Sequence, residues 1–351
     1  MTRRKRTSGM FAGATGLALT LFISFAFVIA LIFALSKNPW TTIYYFFLGP
    51  FTNKYYFGNM LNAAVPLVFT GLGMAMAFKS SVFNLGGEGQ VYTGGIVATA
   101  VCLALPAANG WLGGTLAIAA ALLAGVALAS ISGFLRMKWG TDELITSFLI
   151  SGAVTFIVNS IITGPLDDPA NNLLTTYAIG GQYQLSRIFP PSKLNIGALM
   201  AIATSVLAYI FIRKSHWGYE MRICGLNREF ARYGGINVTA YLVSPMAVSG
   251  ALHAAAGGIS ILGTYGTCLK GFSAGMGWNG IAVALIAKNN PLAVIPAAIF
   301  FAYLDAGAKA AMLNSDVTFE IAALAQSVIF YLVTAQALYG LFRGRAKKAG
   351  A

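Results

Sequence analysis

From Trp111 to Leu135 the chain runs without a charged side chain, and Arg136 and Lys138 close the run. Coiled as an α-helix, at about 1.5 Å per residue, this stretch exceeds the ~30 Å hydrocarbon core of a bilayer. Similar apolar stretches recur at 16–35, 63–78, 91–105, 144–162, 196–212, 240–262, 291–311 and 321–342. Hydrophobic residues make up 57% of the chain and charged ones only 9%, against about 25% charged in ordinary soluble domains. No soluble fold of this length can cover that much apolar surface. The expected fold is an all-α polytopic membrane protein of about ten transmembrane helices, because lipid leaves backbone polar groups no partner outside the helix itself. Thr2–Arg6 followed by the apolar 16–35 imitates a secretory signal, but the run is too long and too many spans follow. It reads as an uncleaved first helix.

The net charge of +13 is not a nucleic-acid footprint. The basic residues sit in short segments that flank the spans, and their distribution orients the chain. With ten crossings, every Lys and Arg except Lys37, Lys54, Arg187, Lys193, Lys270 and Lys309 falls on the side of the termini, which the positive-inside rule makes the cytoplasm. Residues 1–15 form a basic cytoplasmic segment, 16–342 the membrane domain and 343–351 a basic cytoplasmic tail. Anionic lipid headgroups are a second use for the same charges.

Four polar interruptions carry the functional information. Phe83–Gln90 (FNLGGEGQ) breaks the pattern between two spans. Residues 163–195, with Asp167, Asp168 and Pro190-Pro191, read as an extracytoplasmic loop. Residues 213–237 hold Arg213, Lys214, His216, Arg222, Arg228 and Arg232 against only Glu220 and Glu229. Asn227 is placed to cap a short helix starting at Arg228, and Gly234 and Gly235 to stop it. Such a helix on a cytoplasmic loop is either a docking surface or a basic anchor that fixes topology. Residues 263–280 (GTYGTCLKGFSAGMGWNG) are too polar and glycine-rich to face lipid, and 281–287 are too short to span. This is a broken or re-entrant element, tolerated only where protein or water surrounds it.

Within these interruptions, Asn84, Glu88 and Gln90 are candidates for lining a pathway and hydrogen-bonding a ribose or base. A broken helix also needs polar side chains for its freed backbone groups, and that need accounts for Asn84 and Glu88 more readily. The nearby Lys79 places this loop toward the cytoplasmic end. Phe272 and Trp278 offer aromatic faces for stacking, and Asn279 a carboxamide for reading a base edge. Interfacial anchoring explains the aromatics equally well. Asn159, Tyr265 and Thr267 are weaker candidates. Asp167 and Asp168 are either contacts for a soluble partner or ordinary loop residues.

Several classes are excluded. No GxxxxGK[ST] motif is present, so the chain has no Walker-type ATP site. Cys102, Cys224 and Cys268 are widely spaced and do not form a disulfide or metal framework. The two histidines, His216 and His253, have no acidic neighbour at a useful spacing. Mid-span carboxylates of the kind a proton-coupled carrier needs are not evident.

Four blocks in order resemble one family. Phe83–Gln90 resembles the FNIGxEGQ signature of ABC importer permeases, in the nucleoside and simple-sugar branch of the ribose/branched-chain amino acid permease family. Gly225–Asn237 resembles its GxNPxAAxYxGI segment. Ser249–Leu252 with Ala256–Gly258 is similar to its SGALAGLAG helix. Gly271–Leu285 with Asn290-Pro291 resembles its GxGFxGIAVALLGxNNP block. Arg228 stands where that family has proline, Phe230 where it has alanine, Gly87 where it has a branched residue, and Lys288-Asn289 where glycine is common.

The resemblance implies a permease subunit in a bacterial cytoplasmic membrane. A second permease subunit, in this branch a different chain, completes the pathway. A cytoplasmic ATPase holds ATP and magnesium, so this chain is no enzyme and binds no cofactor. An extracytoplasmic binding protein delivers the cargo, and no nucleic acid is a partner. Arg222, Gly225, Asn227, Arg228, Glu229, Arg232, Tyr233, Gly234 and Gly235 become the coupling segment for the ATPase. The EGQ ending resembles the nucleoside form. A simple sugar is the alternative cargo, and a stand-alone secondary carrier the alternative of another class.

Overall fold

The computed structural model describes residues 22–105 and 109–318 and scattered positions between 320 and 335. The described chain is helical, with three isolated β-bridges in the long loops. The helices are α1 (Phe22–Leu35), α2 (Pro39–Leu48), α3 (Lys54–Lys79), α4 (Gly87–Ala104), α5 (Gly110–Trp139), α6 (Glu143–Ile162), α7 (Gly197–Lys214), α8 (His216–Leu226), α9 (Arg228–Tyr233), α10 (Ala240–Ser260), α11 (Met276–Ile286) and α12 (Pro291–Asn314). Among the described residues six helices are long and apolar enough to cross a membrane: α3, α5, α6, α7, α10 with its extension to Tyr265, and α12. The basic N-terminal segment, the C-terminal tail and most of the expected last span lie outside the described residues.

The described chain forms two compact units, one of residues 61–299 and one of the residues before 61 and after 299. In the smaller unit, α2 is an element that hydropathy does not announce. Its aromatic face lies against α12, where Tyr303 Oη donates to Phe47 O at 3.0 Å and a Cβ on Gly307 would overlap the Phe46 carbonyl. Ser36 Oγ and Lys37 N both donate to the Asp316 carboxylate, at 2.7 and 2.5 Å. These bonds hold the Asp316 carboxyl below its usual range.

The larger unit is organised on α10, packed between α4 and α5. Its small residues, Ser249, Gly250 and Ala254–Gly258, let backbones meet. A Cβ on Gly257 would overlap the Val91 carbonyl oxygen, one on Gly94 the Ala254 carbonyl, and one on Gly125 the Gly250 carbonyl. α4 runs parallel to α10, since Gly87 meets His253 and Gly95 meets Ile261, and α5 runs antiparallel to it, since Ala121 meets Gly258 and Gly133 meets Met246.

All three cysteines are free and buried. Cys268 lies where residues 266–270 meet the 174–179 strip, and its side chain is wholly buried, out of reach of aqueous reagents. Iodoacetamide at pH 8 is expected to spare Cys268 in the folded protein and label it after SDS, as read by peptide mass spectrometry.

Candidate functional site

The Gly-rich break begins where α10 gives way to a π-helical turn, Ile261–Tyr265, ended by Gly266 at φ +72°. Widened turns of this kind free backbone groups and recur at functional positions. The chain then lies along the loop that follows α6. Thr176 N donates to Cys268 O at 3.2 Å, and Lys270 N to Leu174 O at 2.9 Å. Next it turns onto α4. Gly271 N donates to Tyr92 Oη at 2.7 Å, and Gly275 N and Gly277 N donate to the two oxygens of Glu88, each at 2.9 Å.

Glu88 thus serves two helices. It occupies the first turn of α4, where a carboxylate complements the helix dipole. Its side chain caps α11, whose own N-cap, Gly275, has no side chain to offer. Hydrogen bonds to a charged group contribute about 1.5–3 kcal/mol each. The loop starts against the basic segment, where Ser81 meets Gly225 and Arg228, and from there reaches along α10. Gly87 packs against His253, which lies thirteen residues into α10, about 20 Å along it at 1.5 Å per residue.

Asn84 and Gln90 are buried and satisfy one another. Asn84 Nδ2 donates to Gln90 Oε1 at 2.8 Å, and Gln90 Nε2 returns a bond to Asn84 Oδ1 at 3.0 Å. Asn84 also donates to Ser249 Oγ and accepts from Gly86 N. Both polar atoms of the Asn84 side chain are occupied, as a structural role requires. His253 is wholly buried. Its Nδ1 lies 2.7 Å from Ser249 O, and because a carbonyl only accepts, Nδ1 carries the proton. Nε2 is left without a partner, against Gly87. Gly73 and Gly87 leave room for the ring, since a Cβ on either would strike it.

The remaining candidates fall in two places. Phe272 is buried with its ring 5.5 Å from Tyr92 and 5.7 Å from Tyr265. Tyr92 Oη donates to Asn159 Oδ1 at 2.6 Å, which joins Asn159 to the same cluster and aims its amide nitrogen elsewhere. Trp278 is part-exposed on the first turn of α11 and pairs with Phe148 of α6 at 5.8 Å. Phe148 and Asn159 are eleven residues apart on α6, about 16 Å, so the break carries two aromatic positions. Asn279 is half-buried beside Trp278. Thr267 Oγ1 donates to Thr176 O. Sequence reasoning does not single out Tyr92, Ser249 or Ser151, whose Oγ accepts from Gly89 N at 2.8 Å. Each sits in an apolar helical run, and Ser249 stands out there only as part of a small-residue block.

The basic segment folds into two helices rather than one. Ser215 caps α8 and Asn227 caps α9, its Oδ1 accepting from Phe230 N at 3.0 Å. Gly234 closes α9, and Gly235 follows at φ +78°. α8 is seated on the end of α3. A Cβ on Gly225 would overlap the Lys79 carbonyl, and Ser81 Oγ donates to Gly225 O at 2.7 Å. Arg228 points inward, its Nη2 donating to Ser81 O at 3.1 Å. Arg222 donates back to Gly218 O. The outward face carries Leu226, Phe230 and Tyr233, 82%, 65% and 90% exposed, with Arg232 and Glu229 paired at 3.5 Å. His216 does have an acidic neighbour: Glu220 Oε1, one helical turn on, lies 3.5 Å from its Nε2. Tyr241 Oη donates to the other Glu220 oxygen at 2.6 Å.

Residues 56–336 match the family model described as the permease component of branched-chain amino acid transport systems. The chain is 35% identical over 322 residues to the probable riboflavin import permease protein RfuC of Treponema pallidum, covering 91% of this chain and 84% of that one. It is 29% identical to the guanosine ABC transporter permease protein NupP of Bacillus subtilis, covering 86% and 88%. It is 28% identical to the glucose ABC transporter permease protein TsgB13 of Haloferax volcanii, covering 86% and 82%. The last two each have a counterpart chain of similar name in the same organism, NupQ and TsgC13, which this chain matches at 25% and 26% identity.

Proposed function

The chain belongs to the family of permease components of branched-chain amino acid transport systems, and from that premise we propose that it is the membrane subunit of an ATP-driven importer of nucleosides or nucleoside-like compounds. The observation that carries the cargo is the chemistry common to two relatives. Riboflavin and guanosine each join a planar heteroaromatic ring to a five-carbon polyol or sugar, and RfuC and NupP are named for them. Glucose, named for TsgB13, has no aromatic ring and is the second reading. The aromatic positions along the break, Phe272 with Tyr92 and Tyr265, and Trp278 with Phe148, suit a ring-bearing cargo.

ATP would bind and be hydrolysed, with magnesium, on a separate cytoplasmic subunit. The outward face of α8 and α9 is the surface we assign to it. The paired relatives in Bacillus and Haloferax support a second, different permease chain as partner. An extracytoplasmic binding protein would present the cargo near the 163–195 loop. The distribution of basic residues supports cytoplasmic termini.

Affinity purification from native membranes is expected to bring down an ATPase and a second permease chain. Proteoliposomes of that complex with the binding protein are expected to take up labelled guanosine or riboflavin only with ATP. Uptake of glucose in place of both would replace the cargo reading. Uptake by the chain alone without ATP would end the importer reading.

A further inference from the structure

The stretch Gly271–Gly277 is tied to α4 at both ends, and nothing in the family match assigns it a role. At one end Gly271 N donates to Tyr92 Oη. At the other, Gly275 N and Gly277 N share the Glu88 carboxylate. Between the ties one residue, Ala274, is held in a costly backbone shape, flanked by glycines that take it freely. Ala274 has φ +42°, and Gly271 and Gly275 have φ +76° and +81°. An L-residue with a side chain adopts that region only under constraint. Phe272 rides on this stretch and is buried by it against Tyr92 and Tyr265.

Glu88 sits where the first turns of two helices meet. With its carboxylate in place, the exposed amide dipoles of α11 are neutralised, and Gly277 packs directly on the Gly87–Glu88 backbone. With the carboxylate withdrawn, those amides lose their acceptor. His253 Nε2, a buried acceptor beside Gly87 without a partner among the described residues, belongs to a ring fixed between Gly73 and Gly87 and cannot follow. The strained stretch then has one tie left.

We propose that Gly271–Gly277 is a strap that keeps Phe272 packed against α4, and that Glu88 is the positioning residue that latches it, with release of the latch a step of translocation. This rests on the importer reading.

The test uses the complete importer complex in nanodiscs and proteoliposomes, with labelled guanosine as the probe. In Glu88→Gln, amide hydrogen exchange at 275–277 is expected to rise at least about tenfold, the lower bound for loss of one hydrogen bond to a charged group. Exchange elsewhere in α4 and α10 stays at the wild-type rate, and ATP is still hydrolysed while guanosine uptake per complex falls at least as far. Tyr92→Phe, which removes the other tie together with the hydroxyl's bond to Asn159, is expected to raise exchange at Gly271 and lower uptake less. In the wild type, exchange of the strap is expected to rise during ATP turnover. A uniform rise in exchange across α4 and α10 in Glu88→Gln overturns the proposal, as does unchanged uptake per complex. If Glu88→Gln does not fold, Tyr92→Phe decides by the same readouts at Gly271. The wild type separates the two failures. A wild-type complex with no ATPase bound ends the importer reading, whereas a coupled wild type whose strap is indifferent to both substitutions ends this one.

Discussion

Gly257→Leu is expected to abolish recovery of the folded protein, while Gly152→Ala leaves it intact. The contrast follows from what each glycine faces. At Gly257 even a Cβ would overlap the backbone oxygen of Val91. Extra methylenes in a packed core cost about 1–3 kcal/mol when side chains can shift, but a carbonyl inside the continuous helix α4 cannot shift without moving the helix. Leucine there must separate α10 from α4, and with it the Asn84–Ser249 bond and the seat of His253. Gly152, on the outer face of α6, has open space where a Cβ would stand, with nothing within 4 Å, and alanine there gains up to ~1 kcal/mol of helix propensity. Fluorescence-detected size exclusion of both variants in detergent checks the prediction. A monodisperse Gly257→Leu peak at the wild-type level would refute it.

The second large effect lies on the outward face of α8 and α9. Phe230→Asp combined with Arg232→Glu is expected to reduce ATP-driven uptake to a few per cent or less, with folded protein at the wild-type level. Truncating anchors at interface centres costs about 2 kcal/mol or more each, and two such losses exceed a hundredfold. Among the described residues Arg232 pairs with exposed Glu229, a contact worth at most about 1 kcal/mol, so reversing it does little to the fold. Arg228→Glu is predicted to behave differently. Its guanidinium holds the Ser81 carbonyl, so this variant should loosen the seat of α9 and lower thermal stability as well as uptake. Measuring ATPase co-purification, uptake and melting temperature on both variants separates the two roles. Normal uptake in the Phe230/Arg232 variant would leave the segment a topological anchor.

Much of this architecture is legible locally. Asn227 before Arg228, and Gly234-Gly235 after Tyr233, mark the ends of α9 because capping needs only neighbouring residues. The small-residue run from Ser249 to Gly258 marks α10 as central because close approach of helices in lipid requires missing side chains. The Gly-rich run after Tyr265 announces a break because no lipid-facing helix tolerates it. α2 escapes such reading because Pro39–Leu48 is too short to register as a span. The division of the basic segment into two helices escapes it too, because Ser215, which caps α8, looks like part of a charge run.

Hydropathy, charge and capping act within a few residues, so the class of the protein, the order of its spans and the position of its breaks can be read along the chain. What the polar residues in those breaks do cannot, because their partners come from far away in it. Glu88 meets Gly275 and Gly277 across 187 and 189 positions, Arg228 turns toward Ser81 across 147, and Tyr92 links Asn159 to Gly271. A polar side chain takes the nearest available partner once desolvated, and which partner is nearest is set by the register of α4, α6 and α10, not by the residues beside it in the chain.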